Sequence, residues 1–213
     1  MSTRKNIIIL FVIFLFVTFT SCLSFKQPNP EITYYNLEYD SPVFSGNEQL
    51  PYIIKIEPFN ASPVYDTTSI IYREDAFKIE SYTYYKWRVN PANIVTYLIG
   101  RDLKKSGLFE RVMLPGERTT DVSFRLTGIL DEFYELDEDK EWSGILSIII
   151  SLVPEGKTEK EGMGIFQKKY SLKEKCEKKN PESLAQALSR AMEQISGQIG
   201  EDLYIFIKQK MKS

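Results

Sequence analysis

Hydrophobic residues recur along this chain with two periods. Alternation marks strands: Tyr35, Leu37 and Tyr39 alternate with Asn36 and Glu38, and Tyr52, Ile54 and Ile56 with Ile53, Lys55 and Glu57, predicting two strands about a Gly46-Asn47 loop. Ser69 to Tyr72 and Phe77 to Tyr82 predict a hairpin turning at Arg73-Glu74-Asp75, followed by an aromatic cluster of Tyr82, Tyr84, Tyr85 and Trp87. Glu110 to Leu114 is a short strand. Val122, Phe124 and Leu126 alternate with polar residues up to Gly128, where a bulge would shift the facing of Ile129 to Phe133. Ile145 to Val153 is apolar almost throughout, as a central strand covered on both faces would be, and Ile165 to Leu172 completes a meander.

Spacing by four marks helices. Val95, Ile99 and Leu103 follow Asn90-Pro91, an N-cap with a proline at the first turn, and Lys104, Lys105 and Gly107 close that helix. Asn180-Pro181-Glu182 opens a second, whose stripe runs Leu184, Leu188, Ala191, Ile195, Ile199, Leu203, Phe206, with Lys208, Lys210 and Lys212 at its negative end. This order of elements predicts an α+β fold: a single-domain sandwich over residues 32–213, with a mixed or antiparallel sheet and two principal helices packed on it.

The N-terminus has a different pattern. Arg4 and Lys5 precede an uncharged run from Ile7 to Phe19, and Phe19-Thr20-Ser21-Cys22 follows. The run is shorter than the roughly 20 apolar residues a membrane span needs. It resembles the lipoprotein signal family, with residues 1–21 removed and Cys22 acylated; an uncleaved anchor, or a cysteine serving only as a small hydrophobe, are the plainer readings. Several acyl chains at Cys22 would anchor the protein without spanning the bilayer. Residues 22–31 form a tether kept extended by Pro28 and Pro30.

Composition narrows the chemistry. The chain has no histidine, which removes Ser-His-Asp and Cys-His devices and most zinc sites. Net charge is −2, and loss of Arg4 and Lys5 with the signal makes the mature chain more acidic, against a nucleic-acid partner. Of two cysteines, acylation of Cys22 leaves Cys176 without a disulfide partner; it is a spare loop thiol, although the lysines around it would lower its pKa if it were exposed. The acidic run Asp137 to Glu141 lacks the glycine and glutamate spacing of a calcium loop and reads as a solvated hairpin tip. Asp131 and Glu132 are adjacent on a strand and face opposite ways, so they do not form a glycosidase pair. Tyr65, Asp66 and Arg73, with Trp87, have the composition of an exposed docking edge, and core aromatics are the equal alternative. No catalytic, metal or cofactor site emerges.

Several segments together resemble one family. Tyr34-Tyr35-Asn36-Leu37 follows soon after the cysteine, then Pro63 to Arg73 ending in Ile70-Ile71-Tyr72-Arg73, then Trp87 before the helix. Leu108-Phe109-Glu110-Arg111-Val112 follows the helix, and Phe124-Arg125-Leu126-Thr127-Gly128 lies in the meander before the closing helix. This order is similar to the ABC-type transport auxiliary lipoproteins, the family of paraquat-inducible protein C. The resemblance implies a non-enzymatic periplasmic accessory lipoprotein, without cofactor beyond the lipid on Cys22. Its partners would be an MCE-domain protein and ABC transporter subunits of an intermembrane lipid transport system, with room for a homo-oligomer. Leu23 after the cysteine, where aspartate would signal retention in the inner membrane, implies the outer membrane. Asp66-Thr67-Thr68 departs from the more apolar or basic stretch expected there. An assembly factor for a lipopolysaccharide or secretion pore, and an envelope hydrolase using Asp131, Glu132 and Glu135, are the alternatives.

Overall fold

The computed structural model describes residues 31–44, 48–118, 120–138, 141–160 and 164–211. The chain divides into two units at Glu31/Ile32, and the described strands and helices belong to the second. In chain order the elements are β1 (Thr33–Tyr35), β2 (Leu50–Ile56), β3 (Asn60–Ala61), β4 (Ser69–Arg73), β5 (Ile79–Trp87), α1 (Pro91–Ser106) and β6 (Phe109–Met113). There follow β7 (Phe124–Glu138), β8 (Glu141–Pro154), α2 (Lys157–Lys160), β9 (Phe166–Lys175) and α3 (Pro181–Lys210). The fold is α+β, one mixed sheet of nine strands with α1 and α3 packed on it.

β7 is the axis of this sheet. One edge pairs antiparallel with β8, which pairs in turn with β9, so the expected meander forms. Three strands follow one another along its other edge, all parallel to it: β2 beside Phe124–Leu126, β3 beside Ile129–Leu130 and β4 beside Glu135–Leu136. Beyond β2 lies β6; beyond β4 lie β5, antiparallel, and then β1, parallel to β5. The sheet therefore forks.

Facing along β7 explains its burial. Phe124, Leu126 and Leu130 point inward, and after Asp131 the inward set becomes Phe133 and Glu135. The ladder slips between Leu130 and Glu132, so the bulge is at Asp131 and not at Gly128. Gly128 pairs regularly with Ile150; a Cβ there would lie 2.5 Å from the Phe59 ring, so the glycine makes room for an aromatic.

The strand expected over Tyr35 to Tyr39 is also corrected. β1 ends at Tyr35 and pairs with β5, not with β2; the Gly46-Asn47 loop lies outside the described residues. Residues 36–44 form an irregular strap against the helices. Leu37 is buried, Phe44 packs where a Cβ on Gly200 would come within 2.6 Å of its ring, and the Glu38 amide donates to Ser189 Oγ at 3.0 Å. The alternation of Leu37 and Tyr39 reflects sockets between helices, with side chains satisfying a backbone that has no ladder.

Both helices form as their caps require. Asn90 accepts from the Ala92 amide and Gly107 closes α1 at φ 67°, while Asn180 accepts from the Ser183 amide at the start of α3. Leu184, Leu188, Ala191, Ile195, Ile199 and Leu203 of α3 are wholly buried, against Leu146, Ile148, Ile150 and Leu152 of β8 on the inner face.

Candidate functional site

Among the three margins of the forked sheet, those at β9 and at β1/β5 differ in chemistry. On β9, Lys168, Lys169, Lys173 and Lys175 pair with Asp202, Asp131, Glu138 and Glu141, and charged side chains of this kind discourage another strand from adding. At the opposite margin β1 covers only Tyr85–Trp87, so among the described residues the Ile79–Tyr84 edge of β5 has no strand beyond it. Exposed apolar side chains gather there: Ile32, Tyr34, Ile79, Tyr84, Tyr85 and Phe77, the last 98% exposed. Tyr72, Tyr82, Tyr85 and Tyr35 form a chain of ring contacts 4.9–6.1 Å apart, and Arg88 lies 5.3 Å over Tyr34. Aromatic residues and arginine on an unfinished edge are the composition of a protein interface.

Tyr65, Arg73 and Trp87 read equally as one exposed docking edge or as core aromatics, and the structure separates them. Trp87 is 1% exposed and packs edge-on against Phe133 at 5.0 Å in the core. Tyr65 is 3% exposed; it stacks on Tyr134 at 5.9 Å, Arg73 lies 4.6 Å over Tyr134, and Arg73 Nη2 donates to the Tyr65 hydroxyl at 2.6 Å. Burial pushes the Tyr65 phenol up to about 12. Tyr65 and Arg73 thus form a clamp over the outer face of β7, and rings of this size are placed where they remove most surface from water.

The carboxylates do not assemble into a hydrolytic pair. Asp131 accepts from Lys169 at 2.7 Å and from Ser62 at 3.4 Å. Glu135, 1% exposed, accepts the Tyr82 hydroxyl at 3.1 and 3.3 Å, and burial raises its pKa. No second carboxylate bonds it among the described residues. At the hairpin tip Asp137, Glu138 and Glu141 pair with Lys179, Lys173 and Lys175, and residues 139 and 140 lie outside the described residues. Cys176 is a free thiol in the loop between β9 and α3, as expected, but it is buried, so burial pushes it up to about 11 and the lowering expected of an exposed thiol does not arise. Among the described residues no three His, Cys, Asp or Glu side chains converge as metal ligands. Cys22 lies outside the described residues.

One polar cluster had no counterpart in the sequence reading. Asp102 of α1, 1% exposed, accepts from Tyr39 OH at 2.6 Å and Ser196 Oγ at 2.7 Å through one oxygen, and from Arg101 Nε at 2.8 Å through the other. The Arg101 guanidinium lies 4.5 Å over the Tyr39 ring. This latch joins the strap to both helices, and burial and the bond to Asp102 raise the Tyr39 pKa. The available signal was a carboxylate at Leu98 + 4, inside the apolar stripe of α1.

No curated protein matches the chain. Among solved structures, XCC0632 of Xanthomonas campestris, which carries the family model DUF330, superposes with a TM-score of 0.74 at 12% identity, covering 85% of this chain and 100% of that one. A second, described as an uncharacterized protein, gives 0.63 at 12% identity over 81% and 99%. At this identity they speak for the fold. The family model for the ABC-type transport auxiliary lipoprotein component matches residues 35–200, from β1 into α3 and so across the whole sheet. The chain belongs to the ABC-type transport auxiliary lipoprotein component family.

Proposed function

We propose that this protein is a non-enzymatic accessory subunit, lipidated at Cys22 and tethered to the periplasmic face of the outer membrane, that docks onto an MCE/ABC-type intermembrane lipid transport assembly. The observation that carries the docking role is the unfinished aromatic margin of β1 and β5, offered by a family whose members are auxiliary components of ABC-type transport systems. Tyr34, Tyr84, Tyr85 and Phe77 replace Tyr65 and Trp87 as docking side chains, since those two are core; Arg73 acts by holding Tyr65 in place. Main-chain groups along Ile79–Tyr84 suit a partner strand adding to the sheet. The outer-membrane side rests on Leu23, and among the described residues no helix is long and apolar enough to cross a membrane.

The test is a crosslinked pulldown of the acylated protein from native membranes, with Cys22→Ala and Phe77→Glu as comparators and mass spectrometry as readout. Recovery of an MCE-domain protein and an ABC transporter subunit, reduced in both variants, supports the reading. Recovery of an outer-membrane pore protein in their place would move the assignment to an assembly factor.

A further inference from the structure

The outward ridge of α1 separates two cavities that share Asn93 and Tyr97. On one side, about 370 Å³ lies between the strap at Asn36–Glu38, Arg88 and Val89, and the α1 residues Ile94, Leu98 and Arg101. On the other, about 300 Å³ is lined by Pro58, Thr96, Leu114 and Pro115. Each is the size of a small-ligand site, about 300–1,000 Å³. Their chemistry differs: two arginines are among the residues lining the first, and no charged residue lines the second. Tyr97, 58% exposed, stands between them.

The cations are incompletely used. Arg101 gives Nε to Asp102, and its Nη2 is buried without a partner among the described residues. Arg88 stacks over Tyr34 and makes no ion pair among the described residues. Glu38, exposed, is the one carboxylate in the lining, and its charge reaches Arg101 without forming an ion pair. A buried guanidinium donor without an acceptor costs free energy that an oxyanion would recover. The apolar pocket across Tyr97 suits a chain attached to that oxyanion.

We propose that the α1 ridge binds an anionic single-chain amphiphile, its head between Arg88 and Arg101 and its tail over Tyr97 against Pro58, Leu114 and Pro115. This goes beyond the docking role and does not depend on it.

The test titrates the whole processed chain from residue 22, carrying Cys22→Ser so that no acyl chain is attached, by isothermal calorimetry. The probes are monododecyl phosphate below its micelle concentration, dodecyl maltoside and inorganic phosphate. The phosphate amphiphile saturates at one per chain and binds at least about tenfold more tightly than either comparator, the scale of one charge-assisted hydrogen bond. Arg88→Gln and Tyr97→Ser, both at exposed positions, each weaken it about tenfold, and Lys104→Gln on the same helix leaves it unchanged. Equal binding of dodecyl maltoside, binding of phosphate without a tail, unchanged affinity in the first two variants, or equal loss in Lys104→Gln would each overturn the proposal.

Discussion

Replacing Asp102 by alanine removes the acceptor for three donors at once. Ser196 Oγ is 2.7 Å from Asp102 and its residue is buried, while Tyr39 OH at 2.6 Å is half-buried, so neither hydroxyl regains a full water partner. A buried donor left unsatisfied costs about 1–3 kcal/mol. Arg101, with its side chain 16% exposed, loses its carboxylate and keeps some access to water, so its loss lies at the low end of that range. The expected sum is about 3–5 kcal/mol, the usual cost of breaking a buried charge pair by removing one member. Against a total stability of about 5–15 kcal/mol this is severe. Urea denaturation of the unacylated chain, followed by circular dichroism, reads it as a lower midpoint at unchanged slope. Tyr39→Phe alone should cost about 1.5–3 kcal/mol, and the double variant less than the sum by at least about 0.5, since the partners share one oxygen. A cost under about 1 kcal/mol for Asp102→Ala, or additivity of the two, would refute the latch.

Glu135→Gln should raise the melting temperature at neutral pH. Burial holds the folded-state pKa of Glu135 above its ordinary value of 4.5, with Asp137 adding to the rise and Lys179 and the Tyr82 hydroxyl opposing it. The ionised form therefore penalises the fold: stability gained on protonation grows as pH falls through the folded pKa and is complete below about 4.5. The advantage of glutamine should shrink over that window in melting curves collected against pH, and an advantage independent of pH would contradict it. Gly200→Ala gains helix propensity of about 1 kcal/mol, yet its Cβ would meet the Phe44 ring at 2.6 Å. The clash should win by about 1–2 kcal/mol, read as a lower urea midpoint. Trp87→Ala should cost about 3–5 kcal/mol, while Phe77→Ala should shift stability by under about 0.5 kcal/mol and reduce partner crosslinking.

Local signals were the legible part. Asn90-Pro91 and Gly107 delimit α1, and Asn180-Pro181 opens α3, because caps satisfy backbone groups within a few residues of themselves. The β7–β8–β9 meander was equally readable, its strands being long and consecutive. What failed depended on distant chain. The facing switch at Asp131 falls between the stretches of β7 that pair with β3 and β4, and no residue near Gly128 encodes it. Leu37 and Tyr39 alternate like a strand because their sockets on α1 and α3, more than sixty residues on in sequence, happen to alternate. Tyr65 and Trp87 show that composition does not separate a core ring from an interface ring; only Phe133 and Tyr134, brought up by β7, decide it. Asp102 went unread for the converse reason: its partners come from Tyr39 and Ser196, on either side of it in the chain.

The strap also has a mechanical meaning. A pull entering at Ile32 along β1 meets the parallel β1–β5 bonds in shear, then the Glu38–Ser189 bond and the Tyr39–Asp102 latch. Freed in full, residues 32–44 extend to at most about 45 Å, at about 3.5 Å each, without the rupture of any ladder of β7. With the chain tethered at Cys22 as proposed, β1 and the strap would serve as a sacrificial link, taken up without breaking the ladders of β7 when membrane and partner move apart.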